Sequence, residues 1–258
     1  MAQVYWGLHS ALNASANPAA LFLGDSWFWY PLDNLAIEIG ASFPNNDFLV
    51  IGRNGAEATE WTTKTRKDID ITFKMYASGV QAFILSGGGN DIAGSNDFFR
   101  LIQDNCSKAK VLEECYRIAQ PDELISQIIG AYRSVITKFR AYNPTATVFT
   151  HNYDNAWPTG KGLFGPADWL KTPMDIAKVP KDLRRPLFKD LLIRLRKAQL
   201  ELVKDKTLGP IVAVASAGTL PESDPDSWWA NELHPTPNGF KLLANSAFRA
   251  PLKKAIVA

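Results

Sequence analysis

The sequence predicts an α/β protein, a three-layer α/β/α sandwich on a five-stranded parallel sheet. Five apolar runs, at residues 21–24, 47–52, 80–86, 145–150 and 210–215, have the length of strands. They are continuous rather than alternating, which is the pattern of strands covered on both faces. The segments between them carry apolar residues at helical spacing, so helices separate the strands and the sheet is parallel. No linker, internal repeat or low-complexity tract divides the 258 residues, and one domain over 1–258 is expected.

Composition narrows the function. With 46% hydrophobic and 21% charged residues the chain is of ordinary globular type. A net charge of +2 is unlike the basic surface that nucleic-acid binding demands. No stretch approaches the about 20 apolar residues of a membrane span. The start, Met1-Ala2-Gln3-Val4-Tyr5-Trp6, has no basic segment followed by a long apolar one. A cytoplasmic protein, or one exported without an ordinary secretory signal, is therefore expected. Cys106 and Cys115 lie nine apart in a charged segment without the paired spacing of a zinc site. They read as two free thiols, with a disulfide as the alternative.

Residues 1–19, rich in Ala, Asn and Ser, read as an arm laid over the domain. The first strand, Leu21-Phe22-Leu23, breaks at Gly24-Asp25-Ser26 and delivers a hydroxyl to its carboxyl end. Ligands bind at that edge of open α/β sheets, so Ser26 is a candidate nucleophile. A serine needs a positioned base before it can attack. The aromatic stretch Trp27-Phe28-Trp29-Tyr30-Pro31 follows, reading either as the wall of an acyl or sugar pocket or as core packing, and Leu32 to Ile39 suggests a helix.

The second strand ends in a glycine-punctuated turn, Gly52-Arg53-Asn54-Gly55, where a backbone N–H can donate to an oxyanion. Residues 60–76 read as a surface helix. The third strand runs into Gly87-Gly88-Gly89-Asn90-Asp91. Asn90 offers two N–H groups without charge and suits a second oxyanion donor. The glycines lack the Gly-Lys-Ser/Thr ending and the Gly-x-Gly-x-x-Gly spacing of nucleotide sites.

Residues 94–121 read as a helical insertion or lid containing both cysteines. Pro121 opens a helix whose apolar positions run from Leu124 to Ile136. After the fourth strand, His151 is a rival base, although a histidine at a strand end is more often structural. His9, in the arm, is a weaker rival. Residues 152–183 form a long loop excursion with short helices, and Pro186 to Lys206 an amphipathic helix whose basic face is solvated. Beyond the fifth strand comes Asn231-Glu232-Leu233-His234-Pro235, and then a helix from Asn238 to Ala247. His234 is the preferred base, able to take the serine proton and return it to a leaving alkoxide.

Gly24-Asp25-Ser26, Gly52 to Gly55, Gly88 to Asp91 and Asn231 to Pro235, in this order, resemble the SGNH (GDSL-type) hydrolases, named for Ser, Gly, Asn and His in four separated blocks. The matches span positions 21 to about 240. The resemblance implies a flavodoxin-like strand order. It also implies an acyl-enzyme mechanism with Ser26 as nucleophile, His234 as base, and Gly55, Asn90 and the Ser26 N–H around the oxyanion. Gly55 is preferred to Gly52 because the family's glycine lies in a small-residue turn before a helix. No metal or cofactor is called for.

One position departs from the family pattern, which has aspartate three residues before the histidine; here it is Asn231. Either Glu232 or Asp226 supplies the acid, or residue 231 orients the imidazole through its side chain or carbonyl, or Ser26 and His234 act as a dyad. Asn231 is preferred. The resemblance implies an ester substrate, small-molecule, saccharide or lipid. Trp27, Trp29, Trp157, Trp228 and Trp229 near the site loops suit sugar rings or acyl chains, and a short-acyl esterase is the first choice. A lipase, a thioesterase, and a carbohydrate- or lipid-binding protein that has lost catalysis are the alternatives.

Overall fold

The computed structural model describes residues 3–31, 33–162, 165 and 169–256. Its sheet has six parallel strands rather than five: β1 (Val4–Trp6), β2 (Ala20–Gly24), β3 (Phe48–Gly52), β4 (Ala82–Ser86), β5 (Thr147–His151) and β6 (Ile211–Val214), in the order β1-β3-β2-β4-β5-β6. Without β1 this is the flavodoxin-like order. The extra strand comes from the supposed arm, where Val4-Tyr5-Trp6 pairs with Phe48, Leu49 and Val50. Three residues are too few to show a period, but β-branched and aromatic side chains fit a half-buried edge.

The helices follow in chain order: α1 (Leu8–Asn13), α2 (Ser26–Trp29), α3 (Leu35–Ala41), α4 (Arg66–Tyr76), α5 (Gly89–Ile92), α6 (Ser95–Leu101), α7 (Gln120–Arg140), α8 (Lys171–Ile176), α9 (Lys181–Lys204), α10 (Pro225–Trp228), α11 (Pro237–Leu243) and α12 (Arg249–Leu252). Asn34 starts α3, its side chain accepting from the N–H groups of Ala36 and Ile37. Leu32, where that helix was expected to begin, lies outside the described residues. Helix α9 starts five residues before Pro186, so the proline falls in its second turn rather than opening it. The segment 94–121 holds one whole α-helix, α6, a 3₁₀ turn at Leu112–Glu114 and the first two residues of α7, and a bridge between Ile102 and Tyr116 ties it down. Cys106 and Cys115 are free and buried there. The excursion 152–183 contributes α8; its residues 163, 164 and 166–168 lie outside the described ones.

Both faces of the sheet are dry. On one, Phe83 of β4 meets Phe73 of α4 and Phe139 of α7 at centroid distances of 5.3 and 4.7 Å. On the other, Phe22 of β2 packs edge-on to Phe28 and Phe48. Double coverage is why the strands read as unbroken apolar runs. The order reverses at β2, whose neighbours are β3 on one side and β4 on the other, and a crevice opens there at the carboxyl ends. Its floor is tight. Gly52 has φ +106°, and a Cβ on it would lie 2.1 Å from the Gly24 carbonyl oxygen, so glycine is required where the two strands end together.

Candidate active site

Ser26 is the first residue of α2, directly after β2. Asp25 caps that helix, its Oδ1 accepting from the Trp27 N–H at 3.0 Å. The carboxylate is buried and also accepts from Ser86 Oγ (2.9 Å) and Tyr153 Oη (2.6 Å). Burial raises its pKa to about 6 against the opposing pull of those bonds. Asp25 therefore anchors the turn that presents Ser26 from beneath, and Tyr153 carries the anchorage across, because its oxygen accepts from Gly89 N at 3.0 Å.

Between β6 and α11, the loop that carries His234 reaches over from the far side of the crevice. It is pinned by a bridge between Trp229 and Pro235 and by Trp27 Nε1 donating to the Leu233 carbonyl at 3.2 Å. His234 Nε2 lies 2.6 Å from Ser26 Oγ, and Nδ1 lies 2.9 Å from Asn231 Oδ1. That oxygen also accepts from the backbone N–H groups of Leu233 and His234, each at 2.9 Å. An oxygen facing two donors makes Nδ1 the protonated nitrogen and leaves Nε2 as an acceptor for the serine proton. Burial drives the His234 pKa down to about 3, so the imidazole is neutral.

Asn90 lines the same crevice, one of its amide N–H groups donating to the Ala56 carbonyl at 3.0 Å. This bond holds the turn after β3 against the site. Gly55 lies on that turn, exposed, with φ +72°.

The candidate acids lie elsewhere. Glu232 is buried and turned away from the imidazole; its carboxylate accepts from the N–H groups of Gly160, Leu170 and Lys171 at 3.0, 3.0 and 2.7 Å. It fastens the excursion to the histidine loop. Asp226 is exposed and faces Lys161 Nζ at 3.6 Å. Of the three arrangements considered for orienting His234, the side chain of Asn231 is the one in place.

The aromatic residues divide similarly. Trp27 lines the crevice. Trp29 instead packs on Trp6 at 5.1 Å and donates to the Ile51 carbonyl at 3.4 Å, so it seals the β1 edge. Trp157 lies under the Arg185 guanidinium at 3.6 Å, and Trp229 is buried beneath the histidine loop. His151 is fully buried, its Nδ1 accepting from Tyr153 N at 3.2 Å, and it serves the fold. Two aromatic residues beside Ser26 and His234 were not singled out from sequence, Trp169, edge-on to His234 at 5.7 Å, and Tyr153; Tyr30, named only within the aromatic stretch after Ser26, stacks on His234 at 4.3 Å. Tyr30 had a signal, because it follows Ser26 by four residues and so shares its face of a helical turn.

The crevice narrows to a small apolar pocket of about 20 Å³ between Ser26, Trp27, Ala156, Phe188, Leu233 and His234. That space is on the order of one water molecule.

No protein-family model and no curated protein matches the sequence. Solved structures do match in fold. A carbohydrate esterase of family 3 from Talaromyces cellulolyticus is 16% identical, with 92% of this chain and 97% of that one covered, at a TM-score of 0.54. An extracellular lipase from Streptomyces rimosus is 16% identical over 89% and 99%, at 0.53. A phospholipase A1 from Streptomyces albidoflavus NA297 is 18% identical over 90% and 99%, at 0.52. The chain has the α/β/α fold of these SGNH-type hydrolases.

Proposed function

We propose that the protein is a serine ester hydrolase working through an acyl-enzyme on Ser26. The observation that carries this reading is the line from Ser26 Oγ through His234 to Asn231 Oδ1, with contacts of 2.6 and 2.9 Å, at the mouth of an apolar pocket. The esterase and lipase neighbours in fold agree with it.

Ser26 Oγ attacks the ester carbonyl carbon while its proton passes to His234 Nε2, and the carbonyl π pair becomes the oxyanion. The second N–H of Asn90, the Ser26 N–H and the Gly55 N–H are the donors assigned to that oxygen. When the tetrahedral intermediate collapses, the bond to the leaving alcohol breaks and its oxygen takes the proton from His234. Water then attacks the acyl carbon, His234 accepting its proton, and the acid leaves as the proton returns to Ser26.

The small pocket beside Ser26 favours a short acyl group, acetyl above all, on a small-molecule or saccharide alcohol. A fluorophosphonate probe tests the nucleophile without a choice of substrate. Labelling at Ser26 that disappears in Ser26→Ala and His234→Ala is expected; labelling that survives both substitutions overturns the mechanism. Hydrolysis of p-nitrophenyl esters should fall from acetate to octanoate, and a rise with chain length would reject the short-acyl assignment.

A further inference from the structure

Resting on the serine and histidine roles proposed above, one neighbour of the pair has no assigned task. Tyr30 follows α2 as its C-terminal cap, and Pro31 behind it holds its backbone extended, at φ −63° and ψ 133°. That turn lays the phenol ring flat on the imidazole of His234, with centroids 4.3 Å apart and planes 13° from parallel. Its oxygen accepts from Asn231 Nδ2 at 2.8 Å. Both residues are buried.

A neutral amide in the third position of a triad carries two weaknesses. It can present its NH₂ to the histidine, which forces the proton onto Nε2 and disables the base. It also places no negative charge beside the imidazolium that forms during turnover. Tyr30 answers both. The amide oxygen accepts from the N–H groups of Leu233 and His234. The NH₂ end then needs an acceptor, and the phenol oxygen supplies it. The flat ring offers its electron-rich face to the imidazolium, within the about 6 Å over which a cation is attracted to an aromatic face.

We propose that Tyr30 is the positioning residue that lets Asn231 stand where a carboxylate is expected, its hydroxyl fixing the amide orientation and its ring face supporting the charged imidazole. The two contributions separate by substitution. Tyr30→Phe keeps the ring and removes the acceptor, whereas Tyr30→Leu removes both. An aspartate at 231 has two acceptor oxygens and cannot be turned the wrong way, so Asn231→Asp should rescue Tyr30→Phe.

The test uses the whole chain labelled with ¹⁵N in the histidine rings, of which there are three. In the wild type His234 is expected as a single tautomer protonated on Nδ1; in Tyr30→Phe the Nε2–H form should appear, and in Tyr30→Phe/Asn231→Asp it should vanish again. Fluorophosphonate labelling of Ser26 is the second readout. Tyr30→Phe should slow it by at least about tenfold, since the other tautomer cannot take the serine proton. Tyr30→Leu should be slower still, and the double variant should label as fast as Asn231→Asp alone. An unchanged tautomer in Tyr30→Phe, or a double variant as slow as Tyr30→Phe, overturns the proposal. Should Ser26 of the wild type resist labelling while the tautomer responds as described, the nucleophile assignment fails and the positioning role stands.

Discussion

Tyr153 donates its phenol proton to Asp25 across 2.6 Å, directly beneath the turn that presents Ser26, and accepts from the N–H of Gly89 at 3.0 Å. One hydroxyl thus joins the carboxyl ends of β2 and β4 to the chain leaving β5. Tyr153 takes a left-handed backbone, φ +56°, to reach this position. Removing the oxygen in Tyr153→Phe leaves a buried carboxylate short of a donor and a backbone N–H short of an acceptor. A loss of about 2–4 kcal/mol is expected. At about 2–4 °C per kcal/mol for a chain of this size, Tm should fall by roughly 5–15 °C. A thermal melt that does not move would show that the two groups find other partners.

The pH dependence follows from His234. Burial places its pKa at about 3 rather than 6.5, so protonation, which destroys the base, occurs only at low pH. The acid limb of kcat/KM reports the free enzyme, and it should lie well below pH 5, with activity level from there to neutrality. A limb centred near 6.5 would mean that the imidazole is hydrated and the histidine loop open.

Asn231→Asp reverses one part of that statement. The new carboxylate can accept from Leu233 N, His234 N and the Tyr30 hydroxyl, so the fold should persist. Its charge favours the imidazolium, and the acid limb should therefore move to higher pH while kcat holds or rises by up to about tenfold. A fall in kcat of more than about tenfold would show that the loop is tuned to the neutral amide.

The strands and the turn that presents Ser26 were legible because both are local signals. Leu21-Phe22-Leu23 is a continuous apolar run, and Gly24-Asp25-Ser26 follows it without a gap. The order of the sheet came only from resemblance, since parallel strands are joined through helices and their pairing leaves no local trace. The edge strand Val4-Tyr5-Trp6 was hidden by its length. The partner of His234 was left open among Asn231, Glu232 and Asp226 for a related reason. Glu232 stands two residues from His234, yet the chain bends through 231–233, and the partners that claim its carboxylate, at 160, 170 and 171, lie some sixty to seventy residues away. Trp169 belongs to the same long-range arrangement, and no local pattern announces it.

Glu232 offers a direct check on its placement away from His234. Its carboxylate satisfies three N–H groups of the excursion, so Glu232→Ala strands three donors at once, that of Leu170 buried and those of Gly160 and Lys171 partly buried. A cost of about 3 kcal/mol or more is expected. The damage should be local, with protease cleavage appearing between residues 158 and 172 before the sheet unfolds. Ser26 labelling at saturating probe should persist in the folded fraction. Complete loss of labelling with an intact melt would return Glu232 to the catalytic machinery.

In the proposed function Phe188 sets the depth of the pocket that takes the acyl group. It projects from α9 beside Ala156 and is almost fully buried. Truncation in Phe188→Ala removes a ring from the pocket wall, and the cavity it leaves costs about 3–5 kcal/mol. The variant should therefore be assayed where circular dichroism shows it folded. There the ratio of kcat/KM for p-nitrophenyl hexanoate over acetate should rise by about tenfold or more, because each additional buried CH₂ is worth about 0.8 kcal/mol once space exists for it. Two such groups already give that factor. The gain should appear in the longer ester without an equal loss for acetate, since Ser26, His234 and Asn231 lie outside α9. An unchanged ratio would place the acyl chain elsewhere along the crevice and leave the pocket beside Ser26 to the alcohol.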